Sequence, residues 1–148
     1  MYVFVYGTLT DHDRVEAVLE GEPPARYELQ GRATLEGVHR VDGRYPTLAP
    51  GGRVDGRLLA VDDVGLERLD RYEGVEDGLY VRVSVPWKTD AASAVDGSQE
   101  VDADIAVYVG DPTRLGVADR VDWPGNGPFA ARVRRYLERT DVVIHSDE

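Results

Sequence analysis

The stretch Met1-Tyr2-Val3-Phe4-Val5-Tyr6-Gly7-Thr8-Leu9-Thr10 decides the fold. Aromatic and β-branched residues alternate from Tyr2 to Tyr6. Tyr2, Phe4 and Tyr6 face one way, Val3 and Val5 the other. A period-2 strand with two apolar faces belongs in the middle of a sheet. It runs directly into Gly7, which can take backbone angles closed to other residues. Thr10 or Asp11 can then cap a helix through Arg14-Val15-Glu16-Ala17-Val18-Leu19. Strand, tight glycine turn and helix start leave a short loop whose N–H groups are free to meet an anion or a carbonyl oxygen.

Outward from that stretch, extended and helical segments mix. Tyr27 to Val38 reads as a strand bent at Gly31 and Gly37. Gly43 to Leu48 is a short extended piece, placed at an edge by Pro46, and Pro50-Gly51-Gly52 reads as a turn before a strand over Arg53 to Val61. Asp62 or Asp63 opens a helix that reaches Tyr72 or Glu73, with Gly74 placed to end it. Leu79 to Trp87 and Val101 to Val109 are alternating strands, separated by a small, polar, aperiodic loop over 89–100. Pro128 opens a C-terminal helix, within 127–139, whose Phe129, Val133, Tyr136 and Leu137 form one stripe. Val142-Val143-Ile144 reads as a last strand. Glycines recurring inside strands call for a curved sheet. The expectation is an α+β fold: one domain over residues 1–148, with about six strands curled into a small mixed barrel flanked by a few helices.

Composition narrows the function. With 148 residues the chain can bury a core without staples, and with no cysteine it has no disulfide and no thiolate chemistry. Asp and Glu number 28 against 17 Lys and Arg, a net charge of −11, which repels nucleic acid and anionic lipid. Lys88 is the only lysine. Such an acidic, lysine-poor surface reads as solubility chemistry for a salty cytoplasm, where ionic strength screens self-repulsion. No apolar run approaches the ~20 residues of a membrane helix, and no basic-then-apolar leader opens the chain, so a cytoplasmic location is expected. His12, His39 and His145 lack any metal or triad spacing, and neither glycine-rich nucleotide fingerprint is present.

Among residues that could carry chemistry, Glu73 stands out. Leu66 and Leu69 are three apart and Glu73 follows four later, so all three project from nearly one helix face. A carboxylate ending an apolar stripe is partly desolvated, and its raised pKa suits it to exchange protons near neutrality. Asp70 lies on the flank of that stripe. Tyr80, Arg82 and Tyr108 share the other face of two pairing strands, a face that can line a cavity or meet water.

These residues also carry a resemblance. Tyr6-Gly7-Thr8-Leu9 after an apolar strand, Tyr45-Pro46, Val54-Asp55-Gly56, Leu69-Asp70-Arg71-Tyr72-Glu73-Gly74, Tyr80-Val81-Arg82 and Val107-Tyr108 follow one another as in the gamma-glutamylcyclotransferase-like family, from about Tyr2 to Val109. The resemblance implies a cavity floored by the Tyr6–Leu9 loop and conversion of a γ-glutamyl amine or peptide to 5-oxoproline and free amine. It assigns Glu73 as general acid/base. It gives Tyr6, Gly7, Thr8 and Leu9 the γ-glutamyl group, and adds Tyr80, Tyr108 and Arg82 as substrate contacts. No metal or organic cofactor is required. The partner is a small γ-glutamyl substrate, with the protein a monomer or homodimer. A non-catalytic small-molecule binding module on the same fold is the competing expectation.

Overall fold

The computed structural model describes residues 1–22, 24–88, 104–140 and 142–146. The first strand, β1 (Tyr2–Val5), is central as its two apolar faces require. It pairs antiparallel with β3 (Pro46–Val61) on one side and parallel with β5 (Asp104–Gly110) on the other. Val3, Phe4 and Val5 are buried. β1 lies so close on β3 that a Cβ added to Gly56 would meet the Val5 carbonyl oxygen at 2.2 Å. Only glycine allows that approach.

β3 forms a long hairpin with β2 (Tyr27–Asp42), from the pair Tyr27 and Val61 to the pair Asp42 and Pro46. The register shifts between Leu29 and Arg32 and again between Glu36 and Val38, around the two glycines that mark bends in the sequence. One expectation is corrected here. Pro50-Gly51-Gly52 is not a turn between two short strands but part of the continuous β3. Gly51 and Gly52 take φ of +97° and +80°, and Gly37 across the ladder takes +109°. Both strands therefore kink together, and neither ends. The reversal lies before Pro46, where the Gly43 amide bonds the Tyr45 carbonyl at 3.4 Å.

The kink would leave backbone groups unpaired without α3 (Phe129–Arg139). The Tyr136 hydroxyl donates to the Gly37 carbonyl at 2.7 Å and accepts from the Gly51 amide at 3.0 Å. Trp123 packs edge-on against the same ring, centroids 5.3 Å apart.

Six strands among the described residues close a mixed barrel in the order β1-β3-β2-β6-β4-β5. The closing piece, β6 (Val143–Ser146), runs antiparallel to β2 and parallel to β4 (Tyr80–Lys88). β4 and β5 pair antiparallel from Tyr80 and Gly110 to Pro86 and Asp104. The segment 89–100, read above as a loop, lies outside the described residues.

Two helices shape one end of the barrel. α1 (His12–Leu19) is capped by Asp11, whose side chain accepts from the Asp13 amide at 3.2 Å. α2 (Asp63–Tyr72) is capped by Asp62, which accepts from the Gly65 amide at 2.9 Å. The helices are joined where Arg68 donates to the Leu19 carbonyl at 2.8 Å. α2 stops because Gly74 takes φ of +69°, leaving Glu73 as the C-cap residue. No helix among the described residues is long and apolar enough to cross a membrane.

Candidate active site

A cavity of about 420 Å³ opens where the loop after β1 meets the end of α2. Tyr6, Gly7 and Leu9 line it from the loop, Glu73 from the helix end, and Tyr80 and Tyr108 from β4 and β5. Arg14, Tyr45, Pro46, Tyr72 and Leu79 complete the wall and mouth, with Phe4 and Val5 beneath.

The floor is rigid because its polar groups are committed. Tyr6 is buried, and its hydroxyl donates to the Tyr108 carbonyl at 2.6 Å. Its ring stacks on Phe4 with centroids 6.2 Å apart. Arg40 donates to the Tyr6 carbonyl at 2.9 Å. After Tyr6 the chain turns through a single 3-10 turn, Thr8–Thr10, tied by the Thr10 amide and hydroxyl to the Gly7 carbonyl at 3.1 and 2.7 Å. The opening amides of such a turn have no acceptor within it. Gly7 is not in a left-handed conformation. Its lack of a side chain serves packing, since an added Cβ would lie 3.3 Å from the Pro46 ring. That corrects the conformational reason the sequence suggests for this glycine.

Glu73 is the chemically distinctive group. Leu69, one turn earlier on the same face, is fully buried and carries that face into the core. Among the described residues the Glu73 carboxylate has no hydrogen-bond or ion-pair partner, and burial raises its pKa to about 7. Its charge reaches Tyr6, Tyr80 and Tyr108, and with burial as the larger cause it pushes the pKa of all three phenols up. Three neutral phenols thus surround one carboxylate that titrates near neutrality.

The three β-strand candidates are divided by the structure. Tyr80 and Tyr108 line the cavity. The Tyr80 hydroxyl donates to the Pro46 carbonyl, fastening β4 to the start of β3. The Tyr108 hydroxyl donates to Asp70 Oδ1 at 2.6 Å. Arg82 is not part of the lining; its Nη1 meets Asp70 Oδ2 at 3.0 Å and Oδ1 at 3.2 Å. Thr8 contributes backbone to the 3-10 turn of the loop. Nothing along the sequence marked Arg14 or Leu79 as cavity residues. Tyr45, Pro46 and Tyr72 were visible only as part of a resemblance.

A family comparison then bears on residues 3–124, which match the family described as "Gamma-glutamyl cyclotransferase, AIG2-like". The chain belongs to the AIG2-like gamma-glutamyl cyclotransferase family. The fold expected of that family is the one observed. A solved structure titled "Gamma-glutamyl cyclotransferase" is 14% identical, covers 88% of this chain and 94% of its own, and superposes with a TM-score of 0.55. A solution structure of a protein from Arabidopsis thaliana is 28% identical, with 94% and 84% covered and a TM-score of 0.52. The crystal structure of an AIG2-like protein from Mus musculus is 21% identical, with 87% and 91% covered and a TM-score of 0.52. A search of curated proteins finds no match by sequence.

Proposed function

We propose that the chain is a γ-glutamyl cyclotransferase in which Glu73 is the general acid/base. One observation carries the reading: an unpaired carboxylate with a pKa of about 7 faces a cavity floored by the Tyr6–Leu9 loop. The substrate's own α-amine is the nucleophile and closes a five-membered ring on its γ-carbonyl carbon. The new ring C–N bond forms as the C–N bond to the leaving amine breaks. Nothing is oxidised or reduced, and no water is consumed.

Such an intramolecular reaction needs a fixed geometry more than an enzymic nucleophile. The attacking nitrogen sheds protons as it becomes the ring amide, and the leaving nitrogen gains one. A carboxylate poised near neutrality accepts a proton from the first and returns one to the second. Burial supplies that poise at Glu73. The loop amides of Gly7, Thr8 and Leu9 hold the γ-glutamyl group, and Tyr6, Tyr80 and Tyr108 supply rigid walls with their hydroxyls already bonded to protein acceptors. Arg82 acts at one remove, through Asp70 and Tyr108.

The test is mass spectrometry of products after incubation with a panel of γ-glutamyl peptides and amines. 5-Oxoproline and a free amine are expected from wild type. Glu73→Gln should lower turnover by about 10²- to 10⁴-fold, the usual worth of a general acid/base. Wild-type turnover in that variant would overturn the assignment. Ligand-induced stabilisation with no product from any compound would leave a binding module.

A further inference from the structure

We infer that Arg14 determines specificity, receiving a carboxylate on the departing amine of the substrate, with Tyr45 and Tyr72 flanking that subsite. The inference rests on the cyclotransferase reading and adds the class of leaving group. Arg14 sits in the first turn of α1, is exposed, and yet contributes to the cavity wall. Among the described residues it forms no ion pair and no side-chain hydrogen bond, although Asp11, Asp13 and Glu16 are its neighbours in sequence. A guanidinium facing a cavity with its donors unused is suited to a carboxylate, which it can hold through two parallel bonds.

The same cavity also carries exposed aromatic surface. Tyr45 and Tyr72 are two of three large hydrophobic side chains that stand exposed among the described residues, at 53% and 42%, and both line this same cavity. Aromatic surface gathered at a cavity mouth is contact surface for a ligand. The cavity thus brings a largely buried carboxylate, Glu73, together with an exposed cation and two exposed rings.

Which carboxylate of a γ-glutamyl compound reaches Arg14 follows from the chemistry at Glu73. The α-amine must lie within hydrogen-bond reach of that carboxylate to lose its proton. The α-carboxylate shares a carbon with that amine, so a cation holding it would also stand close to Glu73. Arg14 is exposed whereas Glu73 is not, and among the described residues the two form no ion pair. Arg14 therefore meets an anion farther along the substrate, on the group that departs. A γ-glutamyl amino acid carries one there; a γ-glutamyl alkylamine does not.

γ-Glutamylalanine and γ-glutamylethylamine differ only by that carboxylate and form a matched pair. The experiment measures kcat/KM for both in wild type, Arg14→Ala and Arg14→Lys, together with binding by calorimetry at constant salt. Wild type should prefer γ-glutamylalanine by about five- to thirtyfold, the worth of a charge-assisted hydrogen-bond pair at a partly exposed site. Arg14→Ala should erase the preference through KM, with the ethylamine substrate changed less than threefold. Arg14→Lys should restore part of it. Turnover of both compounds without discrimination, or an equal loss on both in Arg14→Ala, would overturn the Arg14 assignment while leaving the enzyme intact. Discriminating binding without 5-oxoproline would overturn the enzyme and keep the assignment. Binding of neither would overturn both.

Discussion

The Tyr108 hydroxyl donates to Asp70 Oδ1 at 2.6 Å, so a wall of the cavity on β5 is fixed to the last turn of α2, the helix that presents Glu73. Asp70 also takes Arg82 at 3.0 Å. Asp70→Asn keeps the shape and removes the charge from this three-residue cluster. It should lower stability by about 1–2 kcal/mol, because a half-buried guanidinium loses its counter-charge. It should raise KM more than it lowers kcat. A double-mutant cycle with Tyr108→Phe, read by urea unfolding, should show coupling of about 0.5–2 kcal/mol.

The proton-transfer role gives a pH signature. The ionised form of Glu73 is the one that accepts the first proton. kcat/KM should therefore rise with pH through an apparent pKa of about 7, and the rise should vanish from the residual activity of Glu73→Gln.

The same group should make a stability signature of opposite sense. Its folded pKa, about 7, stands above the ordinary carboxylate value of 4.5. The folded state therefore binds the proton more tightly than the unfolded chain. Its favourable contribution is complete below about pH 4.5 and is lost as pH rises through about 7. Glu73→Gln should be more stable than wild type at pH 8, by roughly 3 kcal/mol at most. The gap should close toward pH 4.5. Denaturant unfolding of both proteins at a series of pH values checks the sign.

Tyr136 offers a test of the kinked hairpin. Tyr136→Phe removes the hydroxyl that serves both the Gly37 carbonyl and the Gly51 amide. A loss of about 1–3 kcal/mol is expected, with hydrogen exchange faster at Gly51 and activity little changed. Unaltered exchange would show that water replaces the hydroxyl without cost.

The net charge of −11 yields a prediction about solvent. If the acidic surface is an adaptation to salt, the melting temperature should climb as sodium or potassium chloride rises toward molar concentration, because screening relieves self-repulsion. A flat response would argue for an ordinary acidic protein.

Features that repeat along the chain were legible; features that depend on what lies across from them were not. Alternation at Tyr2–Tyr6 placed a central strand, and the Leu66, Leu69, Glu73 spacing aimed a carboxylate inward, as the buried Leu69 and the cavity position of Glu73 illustrate. Pro50-Gly51-Gly52 misled because a turn and a bulge use the same residues; Gly37 opposite decides which one forms. Arg82 shares its strand face with Tyr80, but its ion pair with Asp70 on another element could not be read from that face. Arg14 stands on the polar side of α1, where periodicity cannot separate a solvated arginine from one beside a cavity.

β6 has a neighbour on each edge, antiparallel β2 and parallel β4, the latter through Trp87 with Ile144 and Lys88 with His145. Four residues thus act as the keystone of the ring. A variant ending before Val142 would expose two open ladders at once, and unpaired ladders recruit strands from other molecules. Losing so short a piece should therefore turn a closed barrel into one prone to self-association, even with every cavity residue still in place.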